Sequence, residues 1–129
     1  MEEVKAFIKK ADKYFHSAEV LIQAGDYDSA VSRTYYAMFH LATALLKTKG
    51  ITVSTHKGIQ SQFAEQFIKT KIFPQKMAQS FRMAFDDRQA GDYEVLEMLE
   101  KEDAEKLLER GKQFFQKAQE YLKLEGYEA

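Results

Sequence analysis

The stretch Ser32-Arg33-Thr34-Tyr35-Tyr36-Ala37-Met38-Phe39-His40 lies in the middle of the second predicted helix and mixes aromatic, apolar and basic side chains. At about 3.6 residues per turn, Arg33, Tyr36 and His40 fall on one stripe of this helix. A second, apolar stripe consists largely of Val31, Met38, Leu41 and Leu45. A helix with two such stripes packs against neighbours on two sides, so we expect it to be the central packing helix of the fold.

Two long amphipathic helices flank this central helix in the sequence. The first has apolar residues at a regular 3-4 spacing, namely Val4, Phe7, Ile8, Ala11, Tyr14, Phe15, Ala18, Leu21 and Ile22. The same hydrophobic phase returns from Ala104 to Leu122 and predicts the last helix. Gly25 suits the left-handed residue that ends the first helix, and Asp26 suits the N-cap of the second. Such a short connection predicts that these two helices lie antiparallel.

The second helix is predicted from about Asp26 to Lys49, and Gly50 stops it. A brief extended linker follows, after which Ser54 or Thr55 can cap a third helix that ends near position 70.

Pro74 is predicted to start a fourth helix, and Gly91-Asp92-Tyr93 is predicted to end it. No segment alternates in the way that a strand requires. The sequence therefore predicts an all-α, antiparallel up-and-down bundle of four to five helices. We expect a single domain over residues 1–129, with its core at about 3–123 and a frayed tail from Glu125.

The composition limits the classes of protein to consider. The chain has 129 residues, of which 45% are apolar and 30% charged, as is typical of one globular domain. A net charge of -1 and a pI near 6.3 argue against a generally basic nucleic-acid binder. The absence of cysteine excludes disulfides, zinc–thiolate sites and thiol catalysis.

Other signals of compartment and chemistry are also missing from the sequence. No apolar run approaches the roughly 20 residues of a membrane span, and the acidic start of the chain is unlike a signal peptide. We therefore expect a cytoplasmic protein without a membrane partner. Three separated histidines without a Glu-x-x-His pair predict no metal site, and no Gly-rich phosphate loop is present. No cofactor is expected.

Two readings are open for Arg33, Tyr36 and His40. The tyrosines at 35 and 36 can be core or interface aromatics whose hydroxyls are capped by Arg33 and His40. Alternatively, the three side chains form a polar pocket in which a histidine moves protons near neutral pH.

Two further segments carry candidate chemistry. His56 and Lys57 open the third helix, where free N–H groups attract an anion unless this is simply a solvated helix start. Arg88 precedes Tyr93 by five residues. Arg88 either pairs with a nearby carboxylate such as Asp92 or serves as a phosphate-binding fork beside the Tyr93 hydroxyl.

Taken together, these motifs resemble a HEPN domain of the small, stand-alone prokaryotic type. The resembling segments, in order, are Gly25-Asp26-Tyr27, Ser32 to His40, Thr55-His56-Lys57-Gly58, Phe63-x3-Phe67 and Arg88-Gln89-Ala90-Gly91-Asp92-Tyr93. The resemblance covers about residues 3 to 123, nearly the whole chain. It implies a helical bundle that forms homodimers and that often partners a minimal nucleotidyltransferase in a toxin–antitoxin pair.

The resemblance also implies a reaction and its residues. Many HEPN proteins are metal-independent ribonucleases with an Arg-x(4–6)-His motif in a dimer cleft. This chain has Arg88 and then Tyr93 in place of the histidine, which is similar to a variant whose tyrosine accepts a nucleotide from the partner. Arg33 and His40 satisfy the spacing formally, but they lie in the second helix, and we interpret that match as coincidental.

The missing histidine matters because cleavage of RNA without metal needs a base for the 2′-hydroxyl and a group that stabilises phosphorane charge. Arg88 can supply the second role, but Tyr93, with an ordinary pKa near 10, is a poor base. His40 or His56 would then have to act as the base for the 2′-hydroxyl.

We therefore carry two main hypotheses. The first is a toxin-like ribonuclease with Arg88, Tyr93 and His40 as catalytic candidates, Tyr93 also being the modification acceptor. Arg33, Tyr36, His56 and Lys57 are its candidates for binding phosphate or nucleotide. The second is a non-catalytic module that binds a nucleotide or docks a nucleotidyltransferase, and a scaffold that only dimerises is a third option. Ten phenylalanines and seven tyrosines exceed what four core stripes can hold, which also predicts a homodimer.

Overall fold

The computed structural model describes residues 2–93 and 99–127, apart from the side chains of 91–93. The described residues form five α-helices and one π-helical turn, and they contain no strand. The elements are α1 (Glu2–Gln23), α2 (Tyr27–Thr48), α3 (His56–Phe63), the π-helical turn (Ala64–Ile68), α4 (Gln75–Tyr93) and α5 (Lys101–Leu124). The prediction of an all-α bundle of four to five helices is confirmed.

The connection between α1 and α2 has the predicted turn chemistry. Gly25 adopts a φ of 80°, the left-handed conformation that glycine accepts without strain. The Asp26 carboxylate accepts a hydrogen bond from the backbone N–H of Ser29 at 3.3 Å, which caps α2. The chain therefore reverses within three residues.

Contacts along the helices give their directions. Glu3 near the start of α1 pairs with Lys47 near the end of α2, with 3.1 Å between carboxylate oxygen and Nζ. At the other end of α1, Glu19 pairs with Lys112 of α5 at 2.9 Å. Because Phe15 also stacks on Phe115, at 5.5 Å between ring centroids, α1 runs antiparallel to both α2 and α5.

The fourth long helix completes the bundle. Pro74 at the start of the α4 segment and Lys117 near the end of α5 line one groove, whereas Asp87 late in α4 interacts with Asp103 early in α5. This pattern makes α4 antiparallel to α5. The long helices thus alternate up and down, and α2 packs against each of the others.

The short helix α3 lies beside α2 and runs in the same direction. Thr55 caps α3 by accepting a hydrogen bond from Gly58 N–H at 2.9 Å. His56 contacts Tyr35 in the middle of α2, whereas Lys49 after the end of α2 donates to the Gln66 carbonyl at 3.0 Å. The extended linker therefore leads back to the middle of α2 before α3 begins.

Two helix ends lie near their predicted positions. The third helix was expected to run to about position 70; α3 ends at Phe63, and a π-helical turn continues the helical segment to Ile68. The fourth helix was expected to end within Gly91-Asp92-Tyr93, and α4 passes through Gly91 and extends to Tyr93. A single glycine costs a helix only about 1 kcal/mol, too little to end one. Within the tail that was expected to fray, the Tyr127 N–H donates a hydrogen bond to the Leu122 carbonyl at 2.8 Å.

The core absorbs most of the aromatic residues. Tyr35, Phe63, Phe67, Phe81 and Phe114 are its largest fully buried side chains. Every other phenylalanine and every other described tyrosine is buried or half-buried. The aromatic surplus that predicted an interface is therefore accommodated within one chain.

Candidate functional site around Arg88

Arg88 lies on α4 and faces two consecutive tyrosines of α2. Its guanidinium carbon is 5.5 Å from the ring centroid of Tyr35 and 5.1 Å from that of Tyr36. A guanidinium at this distance from an aromatic face is attracted by the ring quadrupole, which fixes its position. The arginine that the sequence singled out is thus half-buried and held in place by aromatic rings.

His56, the first residue of α3, completes this site. Its Nδ1 is 2.7 Å from the Tyr35 hydroxyl, within hydrogen-bond distance. Its ring stacks on that of Tyr35 at 5.7 Å and meets that of Tyr36 edge-on at 5.9 Å. We call Tyr35, Tyr36, His56 and Arg88 the Arg88 cluster.

The imidazole and the phenol beside Arg88 are uncharged at neutral pH. Burial lowers the pKa of His56, and the positive charge of Arg88 lowers it further. Burial raises the pKa of the Tyr35 hydroxyl, although the Arg88 charge opposes this. At neutral pH the cluster therefore holds one fixed cation beside an uncharged imidazole and an uncharged phenol.

Three helices position the cluster, and its residues are distant from one another along the sequence. Tyr35 and Tyr36 come from α2, His56 from the start of α3 and Arg88 from α4. Sequence reasoning placed Arg88 among the catalytic candidates and Tyr36 and His56 among the phosphate-binding candidates, and it offered His56 beside His40 as a possible base for Arg88. It treated Tyr35 only as a packing aromatic. The usable signal was that a buried tyrosine hydroxyl needs a hydrogen-bond partner, and His56 is that partner.

Arg33 lies outside the Arg88 cluster, on the side of α2 that faces α1. Its guanidinium carbon is 4.9 Å from the ring centroid of Tyr14. A groove of about 540 Å³ runs along this side, and Arg33, Tyr36, Tyr14, Ser29 and Asp28 are among the residues that line it. Tyr36 therefore borders both this groove and the Arg88 cluster.

His40 also faces α1. Its ring stacks on Phe7 at 5.8 Å and meets Tyr14 edge-on at 5.2 Å. Burial, with a further contribution from the Lys10 charge, lowers the pKa of His40 to about 4. Because these contacts belong to α1 and not to α4, His56 is the histidine that the structure brings to Arg88.

The two remaining candidates are placed differently. Lys57 is exposed and lines a separate groove between α3 and α4. The backbone of Tyr93 belongs to the last turn of α4, but its side chain lies outside the part of the chain that the structure describes. The predicted pairing of Arg88 with Tyr93 therefore stays a prediction.

Two further features bear on the class of protein. Among residues 2–93 and 99–127, no group of three or more histidine, aspartate or glutamate side chains could hold a metal ion. Within the same residues, no helix combines the length and the apolar character needed to cross a membrane.

Comparison with known proteins places the chain in a family. The model of the HEPN domain matches residues 4–123. A Methanocaldococcus jannaschii protein named "Putative toxin MJ0142" is 39% identical over 93% of this chain and 82% of its own length. A second protein of that organism, "Putative toxin MJ0605", is 30% identical over 95% of this chain and 90% of its own length. A UPF0332 protein of Thermotoga maritima is 30% identical over 82% of this chain and 80% of its own length. The resemblance inferred from the motifs is confirmed: this chain belongs to the HEPN domain family.

Proposed function

We propose that this protein is the toxin-like component of a toxin–antitoxin pair and that it cleaves RNA at the Arg88 cluster without a metal ion. The observation that carries this proposal is that Arg88 and His56 lie against the same two rings, those of Tyr35 and Tyr36. The names of the two archaeal relatives as toxins support the biological role.

The cluster contains the two groups that the reaction needs. In the proposed step, a neutral His56 nitrogen takes the proton of a ribose 2′-hydroxyl, whose oxygen then attacks the adjacent phosphorus. Arg88 stabilises the negative charge that develops on the phosphoryl oxygens. The bond to the 5′-oxygen breaks, that oxygen takes up a proton from water, and a 2′,3′-cyclic phosphate remains on the other product. His56 then returns the proton it took to the solvent.

The Tyr35 hydroxyl can hold His56 in the tautomer that the reaction needs. If Nδ1 of His56 carries the hydrogen and donates it to the Tyr35 oxygen, Nε2 is left as the acceptor that the base requires. The raised pKa of Tyr35 keeps its hydroxyl protonated, so this oxygen remains a neutral partner.

Cleavage of labelled RNA by the purified protein in excess EDTA tests the proposal. We expect cleavage with the wild type and none with Arg88→Ala. Loss of the proposed base in His56→Gln should lower the rate by about 10²-fold or more. His40→Phe is the matched histidine control and should cleave at the wild-type rate. Cleavage that survives Arg88→Ala, or that EDTA abolishes, would refute the proposal.

The proposed partner is a minimal nucleotidyltransferase that modifies Tyr93. A nucleotide attached to this hydroxyl would add negative charge five residues after Arg88 in the sequence and so oppose the binding of RNA. Incubation with such an enzyme from the neighbouring gene and ATP should add one nucleotide mass to the wild type and none to Tyr93→Phe. Tyr27→Phe is the control that should still be modified.

A second candidate function is non-catalytic binding of a nucleotide in the groove beside Arg33. The groove combines a cation, two aromatic rings and serine hydroxyls, which are suitable contacts for a phosphate and a base, and it also contains the carboxylate of Asp28. Calorimetric titration with nucleotides would then show binding that Arg33→Ala removes. Binding retained by that variant would exclude this groove.

A further inference from the structure

Positive charge is concentrated in one part of this nearly neutral chain. Between positions 47 and 85 the sequence has seven basic residues and one acidic residue, Glu65. The basic residues are Lys47, Lys49, Lys57, Lys69, Lys71, Lys76 and Arg82. The remaining positions hold twelve Lys and Arg against nineteen Asp and Glu. The net charge of -1 therefore conceals a strongly basic segment.

Three of these cations already have partners within the chain. Lys47 pairs with Glu3, Lys69 pairs with Glu65, and Lys49 donates to the Gln66 carbonyl. The other four, Lys57, Lys71, Lys76 and Arg82, are exposed. Among the described residues, none of these four forms a salt bridge.

Lys57 and Arg82 line the same groove, which lies between α3 and α4. The groove has a volume of about 410 Å³. Its other polar lining groups are the amides of Gln60, Gln75 and Gln79 and the hydroxyl of Ser61. No carboxylate lines it among the residues that the structure describes. Cations together with amide and hydroxyl donors are the contacts that proteins make to phosphate and sugar.

The groove adjoins the Arg88 cluster. Gln60 lines the groove, and its side chain also interacts with the Tyr35 hydroxyl. Lys57 directly follows His56, and Arg82 precedes Arg88 on α4 by six residues, a rise of about 9 Å along the helix axis. A nucleic-acid strand lying in the groove would therefore lead to the Arg88 cluster.

We propose that this groove, lined by Lys57, Gln60 and Arg82, binds the phosphodiester backbone of single-stranded RNA and leads it to the Arg88 cluster. The choice of RNA as the occupant rests on the proposed function, whereas the basic character of the groove does not depend on it. The acidic face of a second copy is a less suitable occupant, because the carboxylates of α5 are interleaved with lysines such as Lys101 and Lys106.

Fluorescence anisotropy with a labelled single-stranded oligouridine tests this inference. The measurement uses Arg88→Ala chains in EDTA, so that cleavage does not interfere, and it is repeated at several salt concentrations. Adding Lys57→Gln and Arg82→Gln should weaken binding by about tenfold or more. It should also reduce the slope of log K against log salt by about 1.4, or about 0.7 for each lost phosphate contact.

Lys5→Gln with Lys9→Gln is the matched control, because it removes two exposed cations from α1. This control should change the affinity less than about twofold. Equal affinity in the groove variant and the control would overturn the inference. The inference would also be overturned if the groove variant kept its RNA binding unchanged and instead lost a salt-sensitive self-association in sedimentation.

The same measurements separate this inference from the proposed function. RNA binding that depends on Lys57 and Arg82, without any cleavage by the wild-type chain, would uphold the groove and refute the ribonuclease. Cleavage that proceeds at the wild-type rate in the groove variant would uphold the ribonuclease and refute the groove.

Discussion

His40 lies between the rings of Phe7 and Tyr14, and its Nδ1 is buried without a hydrogen-bond partner among the described residues. Burial disfavours a charged imidazole there, and Lys10 adds repulsion. The side chain is therefore neutral at physiological pH and acts mainly as a packed aromatic ring.

The pKa of His40 predicts how stability depends on pH. Its pKa is about 4 in the folded chain and about 6.5 when unfolded, so the unfolded state binds more protons between these values. The contribution of His40 is fully present above pH 6.5 and is lost as the pH falls towards 4. His40→Phe should therefore lose less melting temperature than the wild type between pH 7 and pH 4.5.

Thermal unfolding followed by circular dichroism at several pH values measures this difference. His16→Phe, at an exposed position of α1, is the matched control and should keep the wild-type pH dependence. Parallel curves for His40→Phe and the wild type would contradict the prediction.

Lys71 is a second residue with an unusual environment. It follows the π-helical turn with a φ of 62°, a left-handed conformation that side chains with a Cβ adopt at a cost. Lys71→Gly should raise the free energy of unfolding by about 0.5–1 kcal/mol, because glycine adopts this conformation without strain. Urea titration measures the change. Lys69→Gly, in helical conformation two residues earlier, should instead be destabilising by about 1 kcal/mol.

At the scale of elements, the packing of α5 depends on one close approach. A Cβ at Gly111 would lie 2.7 Å from Cε1 of Phe15 and 3.0 Å from Cγ2 of Thr34. Phe15 and Thr34 are both buried, so neither has room to move. The missing side chain therefore allows α5 to pack closely against both α1 and α2.

Gly111→Ala should accordingly destabilise the protein by about 1–3 kcal/mol, because an added methyl group overpacks the core. This loss outweighs the gain of about 1 kcal/mol that alanine brings to a helix. Gln113→Ala, exposed on the same helix, should stay within about 0.5 kcal/mol of the wild type. A Gly111→Ala chain as stable as the wild type in urea would show that α5 can shift.

The π-helical turn is an element with a packing role. Lys69 N–H donates to the Ala64 carbonyl five residues earlier, at 2.9 Å. Phe63 before the turn and Phe67 within it are both buried, so the aromatic face of the helix continues through the turn. Nothing in the local propensities distinguishes this turn from ordinary helix, which is why one continuous helix was predicted.

At the scale of the whole molecule, self-association is the main remaining prediction. The aromatic residues are taken up by the core of one chain, so composition no longer supports an interface. Family resemblance still predicts that two chains pair at the cleft near Arg88, where Tyr36 and Phe85 are half-buried.

Sedimentation at micromolar concentration should show a dimer, and Tyr36→Glu should shift it towards monomer by burying a charge in the contact. Val20→Glu, on α1, is the exposed control and should leave the dimer intact. A monomeric wild type would remove the prediction.

Local sequence patterns were enough to predict the helices, several of their ends and the family. Helical periodicity, a left-handed glycine at 25 and a capping residue such as Asp26 or Thr55 are local properties, and each operates within a few residues of the chain. That is why these features were predicted correctly. The five resembling motifs also depend only on order and spacing along the chain.

Which polar residues meet depends on how the helices pack. A stripe on a helix does not reveal which neighbour it faces, so Arg33, Tyr36 and His40 were grouped as one candidate pocket. In the folded chain, Arg33 and His40 face α1, whereas Tyr36 contacts His56 and Arg88. The physical reason is that α3 returns to the middle of α2 and α4 packs beside it, which brings together side chains distant in sequence.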